Sequence, residues 1–143
     1  MLNLPDIRQT TDYDCGAAAI DTVCRFYKRR ERGPVKLANH VQGMAPDTVE
    51  AVFRSLGFKL LSGTMTTRDL RSLALDRPVM CCINAETGGH WVTIRGVTRA
   101  RVHFQCPVLG PTTLSIEHWE GIWHDRTSSG HHYDHYGLCA YLG

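Results

Sequence analysis

A chain of 143 residues, 43% hydrophobic and 21% charged, is long enough for one domain with a proper core. Such a composition calls for neither disorder nor a membrane span. A net charge of +2 gives no reason to expect a nucleic-acid partner, and no apolar run approaches the ~20 residues that cross a bilayer, so direct membrane insertion is not expected.

The N-terminus, Met-Leu-Asn-Leu-Pro-Asp, lacks the basic and apolar regions of a secretory signal. The six cysteines (15, 24, 81, 82, 106 and 139) contain no C-x-x-C pair. Reduced thiols in a cytoplasmic setting are therefore expected rather than a disulfide framework. Polar residues Arg8 to Asp14 lead into Cys15-Gly16-Ala17-Ala18-Ala19, and apolar positions 19, 20, 23, 24, 26 and 27 recur at helical spacing. This predicts a helix of about four turns that opens at Cys15 and stops near Gly33-Pro34. Arg25, Lys28, Arg29, Arg30 and Arg32 would form its solvated face and end, where cations suit the dipole.

A short segment, Val35 to Val41, is followed by a second helix from Pro46-Asp47 to Gly57, and Phe58 to Leu61 reads as a strand. Thr66-x-x-Asp69 is a capping-box pattern before a further helix. The period then changes. Pro78 to Ile83 reads as a buried strand, in which Cys81 and Cys82 face opposite sides. Gly88-Gly89 reads as a loop, His90 to Val97 as a strand, Thr98-Arg99-Ala100 as a turn and Arg101 to Gln105 as the hairpin partner. Cys106 to Pro111 is expected to break the sheet, and Ser115 to cap a short helix carrying Ile116, Trp119 and Trp123. Asp125 to His135 reads as a polar surface loop, and Tyr136 to Leu142 as a last strand. The whole is an α+β chain forming one domain over 1–143, with N-terminal helices packed on a C-terminal antiparallel sheet.

A thiol at a helix start lies against unpaired N–H groups and the positive dipole end, which stabilise a reactive thiolate. Gln9, six positions upstream, offers an amide able to donate to an oxyanion. His90 at a strand start is the candidate base, and the end of the neighbouring strand, Gln105-Cys106-Pro107, is where an orienting group would lie. A small buried cysteine and a solvated loop histidine are the plainer alternatives.

Taken together, Gln9, Asp14-Cys15-Gly16-Ala17-Ala18, the Gly-His90-Trp-Val-Thr-Ile-x-Gly-Val segment and the X-Pro sixteen residues after His90 resemble the papain-like double-glycine leader peptidases, the bacteriocin-processing domains found in front of some ABC transporters. Leu109-Gly110-Pro111 and Leu114-Ser115-Ile116-Glu117-x-Trp119 are similar to the segment that follows in that family, and the likeness covers nearly the whole chain. The resemblance implies Cys15 as nucleophile, His90 as base and Gln9 as oxyanion donor, with no metal or organic cofactor. The flanking Asp14, Gly16, Gly89 and Trp91 are the candidate substrate-binding positions. A peptide or protein substrate cut after small residues, such as a Gly-Gly leader, is implied. A separate ABC transporter is the further partner implied, because the chain itself has no G-x-x-x-x-G-K-[ST] motif.

One position departs from the pattern. The family has Asp before the proline, and this chain has Cys106. Three readings stay open: a working Cys–His dyad with Cys106 beside it, a carboxylate such as Asp125 supplied from the later segment, and a peptide-binding module without catalysis. Cys15, His90 and Cys106 also make a soft-ligand set, but papain-like geometry would turn the two sulfurs to different ring nitrogens. The histidines 124, 131, 132 and 135 match no defined metal spacing.

Overall fold

The computed structural model describes residues 1–9, 15–28, 45–85, 88–126 and 132–143. Asp14, the Gly33-Pro34 stop, the Val35–Val41 segment and His131 lie outside the described residues. The elements run α1 (Cys15–Phe26), α2 (Pro46–Ser55), β1 (Lys59–Thr64), α3 (Thr67–Leu73), β2 (Val79–Ala85), β3 (Gly88–Val97), β4 (Arg101–Cys106), β5 (Gly110–Ser115), α4 (Ile116–Ile122), β6 (His124–Arg126), β7 (His132–Asp134) and β8 (Tyr136–Tyr141).

Six strands make one sheet in the order β1-β8-β2-β3-β4-β5, with every pairing antiparallel. Side chains alternate across it. Cys82, Trp91 and Leu138 bury against Ile20, Val23 and Phe53 of α1 and α2. Cys81, Val92 and Phe104 bury against Leu70, Trp119 and Trp123 on the other face. The α+β expectation holds, with α3 and α4 covering the face opposite α1 and α2. Among the described residues no helix is long and apolar enough to cross a membrane.

Local signals account for most helix ends. Pro46 opens α2, and Gly57, at φ 87°, ends it. The Thr66 hydroxyl accepts from Asp69 N–H at 3.1 Å while the Asp69 carboxylate accepts from Thr66 N–H at 2.8 Å, completing the capping box of α3. Ser115 Oγ accepts from His118 N–H at 3.1 Å at the start of α4.

Four expectations are corrected. The α1 helix ends at Phe26, several residues before Gly33; Lys28 turns left-handed at φ 59°, and Tyr27 donates its hydroxyl to Ala140 O at 2.9 Å, tying the helix end to β8. Gly88 and Gly89 are strand rather than loop, paired with Ala85 and Asn84, so His90 is the third residue of β3. Gly110-Pro111 does not break the sheet: it starts β5, where proline is tolerated because the strand is an edge. The stretch read as a polar loop carries a two-stranded ribbon, β6–β7.

A strap of N-terminal chain, residues 2–9, lies along β3 and β4. The β3–β4 register slips between Ile94 and Gly96, leaving Arg95 as a bulge residue. Leu2 N–H donates to Arg95 O at 2.9 Å. Asp6 accepts from the buried Gln105 amide at 2.6 Å and from Arg8 at 2.7 Å. Arg8 reaches Val108 O at 3.3 Å, and its guanidinium fills the space that a Cβ on Gly110 would need. These contacts hold the strap against the β4–β5 turn.

Candidate active site

Cys15 is the first residue of α1 and is 7% exposed. The three alanines and Gly16 behind it are buried as well, and their small side chains let the helix lie close on the sheet. The sulfur belongs to the same packed cluster as Cys82 and Trp91. Trp91 stacks edge-on against Tyr136 with ring centroids 6.0 Å apart. It is 3% exposed and forms a wall of the core.

His90 pairs across the sheet with Ile83, and the alternation turns it to the face opposite Trp91. Its ring is half-buried and lines a cavity of about 510 Å³ together with Ile83, Asn84, Phe104, Cys106 and Leu109. Burial lowers the imidazole pKa, and the nearby Asp125 charge acts in the opposite direction. A neutral imidazole at physiological pH is the form able to take a proton.

Cys106 closes β4 and is 5% exposed. Continuing the register from Thr93↔Gln105 sets Cys106 opposite Val92 and therefore diagonal to His90, on the same face. Gln9 donates its backbone N–H to Pro107 O at 2.9 Å, one residue beyond Cys106. The structure thus gathers Gln9, Cys106 and His90 at one end of the β3–β4 pair.

Gly89 shows why glycine is needed there. A Cβ at this position would lie 2.6 Å from a carboxylate oxygen of Asp125 and 2.8 Å from its Cγ. The carboxylate therefore rests on the α-carbon next to His90. The same charge also bears on Cys82, as does Cys15. By the strand alternation Gly89 shares the face of Cys82 and Trp91, opposite the His90 ring, and the carboxylate lies on that face.

Sequence reasoning missed the strap, which no local pattern in residues 2–9 marks. Asp125 was one alternative among three, with nothing in its neighbourhood to single it out. Among the described residues no three His, Cys, Asp or Glu side chains converge as a metal set. His124 stacks on His132 with centroids 5.8 Å apart, and His132 meets Asp134 at 3.3 Å.

Residues 3–127 match the model of the Peptidase C39 family. Among curated proteins none matches the chain. The chain is similar to the crystal structure of the peptidase domain of Streptococcus ComA, a bifunctional ABC transporter involved in quorum sensing, at 18% identity and TM-score 0.77, covering 100% of each chain. It is also similar to a double glycine motif protease from an AMS/PCAT transporter, solved in complex with the leader peptide, at 18% identity and TM-score 0.69, covering 96% of this chain and 91% of the other. Both likenesses bear out the fold.

Proposed function

Because the chain belongs to the peptidase C39 family, we propose that it is a cysteine peptidase that cuts an amide bond after small residues, of the Gly-Gly leader type. Cys15 is the nucleophile, His90 the base and Gln9 the oxyanion donor. The observation that carries this reading is Cys15 as the opening residue of α1, where dipole and unpaired N–H groups favour the thiolate.

The reaction follows from these groups. As the base, His90 takes the Cys15 proton, and the thiolate sulfur bonds to the scissile carbonyl carbon. The carbonyl oxygen becomes an oxyanion, to which the Gln9 amide donates. The imidazolium then gives its proton to the leaving amine as the C–N bond breaks, leaving a thioester on Cys15. Water, losing a proton to His90, attacks the thioester and frees the acid and the thiol. The apolar cavity beside His90 offers a seat to an apolar substrate side chain.

A passage too narrow for larger side chains would explain glycine before the cut. The substrate would be a leader-bearing peptide, and a separate ABC transporter would be the partner that exports the product. Synthetic precursors with Gly-Gly, Gly-Ala or Leu-Leu before the cut test the reading by mass spectrometry. Cleavage of the first two, abolished in Cys15→Ala, is expected. Tight binding of the Gly-Gly peptide with no cleavage, and Cys15 alkylation as slow as that of a free thiol, would instead make the chain a peptide-binding module.

A further inference from the structure

We propose that Asp6, held by the buried amide of Gln105, is the positioning residue for Gln9, and that this bridge sets the rate of the chemical step without touching the substrate. The inference rests on the peptidase reading above, because a donor has to be held in place only where an oxyanion forms.

Residues 1–9 form neither helix nor strand, so no ladder of backbone bonds fixes the chain ahead of Gln9. A run of separate bonds to the end of β4 and the turn beyond it does so instead. Gln105 Nε2 donates to Asp6 Oδ1 at 2.6 Å, Gln9 N–H to Pro107 O at 2.9 Å and Arg8 to Val108 O at 3.3 Å. Arg8 also donates to both Asp6 oxygens, at 2.7 and 3.1 Å. The Asp6 carboxylate is thus shared between a strap side chain and a sheet side chain.

The two bonds to that carboxylate are unequal. The Asp6–Arg8 pair is about half exposed on each side, where ion pairs contribute little. Gln105 is 2% exposed, and a buried amide left without an acceptor carries the full cost of its lost hydration. The bond that keeps the strap down is therefore the one from Gln105. Gln105 pairs with Thr93 of β3, and by strand alternation it shares the face of Trp91, which packs in one cluster with Cys15 and Ile20 of α1. The bridge ties the strap to the nucleophile's side of the sheet. Gly110 completes the seat: its φ is 82°, and a Cβ there would lie 2.8 Å from Arg8 Cζ.

An oxyanion donor acts by standing in place before the charge develops, and a misplacement of about 1 Å can cost about 10²-fold in rate. Asp6 is three positions before Gln9, so slack at one is passed to the other.

The test uses the full chain and reads kcat and KM for a Gly-Gly precursor, the rate of Cys15 alkylation by iodoacetamide, and hydrogen exchange at the Gln9 N–H by NMR. Asp6→Ala is expected to lower kcat about 10- to 100-fold with KM within about twofold, and to speed exchange at Gln9. Alkylation should not change, because displacement of iodide forms no oxyanion. Asp6→Asn, which keeps an oxygen for Gln105, should lose less than Asp6→Ala. In a Gln9→Ala background, Asp6→Ala should slow cleavage little further, since Asp6 acts only through Gln9. Full additivity of the two changes, or alkylation falling in step with kcat, overturns the proposal and leaves the strap a support of the fold. Should Asp6→Ala fold poorly, Gln105→Leu must give the same loss of kcat and the same failure to add to Gln9→Ala; a normal kcat in Gln105→Leu overturns the proposal equally. If the unaltered protein cleaves nothing, the peptidase reading fails and takes the catalytic part of the proposal with it, while Gln9 exchange in Asp6→Ala still decides whether the bridge holds Gln9.

Discussion

Two hairpins reach the His90 end of the sheet, and they contribute opposite things. The β4–β5 hairpin is regular, fully paired from Arg101↔Ser115 to Cys106↔Gly110. It brings the Cys106 thiol, and through Pro107 O it holds the backbone of Gln9. The β6–β7 ribbon is only three pairs long, yet it brings the carboxylate. Backbone order and charge thus come from different elements.

The largest effect is expected from undoing the base of the ribbon. Trp123→Ala removes a buried indole and should cost about 3–5 kcal/mol of stability, read as a lower urea midpoint. If the β4–β5 hairpin alone built the site, the surviving folded fraction would cleave normally per folded molecule; a loss of cleavage beyond the unfolded fraction is expected.

Gln9→Ala tests the other hairpin. Loss of one oxyanion donor should lower kcat about 10²–10³-fold with KM little changed. A matching rise in KM would make Gln9 a substrate-positioning residue.

Cys106→Ala comes next and should keep kcat within about twofold, since a thiol is a weak hydrogen-bond partner. A loss of about tenfold or more would give the orienting role to β4.

The smallest effect is on acid stability. His90 is held below its unfolded value of about 6.5, so the unfolded chain binds the proton first as pH falls. Its contribution is complete above about pH 6.5 and is lost as pH drops from there through the lowered folded value. Asp125→Asn removes the charge that opposes this lowering and extends the loss to more acid pH. Urea midpoints of the two proteins should differ more at pH 5 than at pH 8; an equal difference at both would separate Asp125 from His90.

By itself the sequence determined the local features: α1 opening at Cys15, the Thr66–Asp69 capping box, the Ser115 cap, the opposed faces of Cys81 and Cys82, and the family likeness carried by short motifs. Each depends on contacts within a few residues or on a strict side-chain period, so each is written in adjacent letters. Only the tertiary structure decided the strap from Leu2 to Gln9, the edge strand opened by Gly110-Pro111, the strand at Gly88-Gly89 and the ribbon bearing Asp125. Their sequences are polar or rich in glycine and proline, with weak strand preference of their own, and they order because a neighbouring strand or the Trp123 anchor supplies the partner groups. Asp125 and Gly89 are 36 positions apart. Nothing in either neighbourhood marks the other, and the contact of the carboxylate with Gly89 is a product of packing.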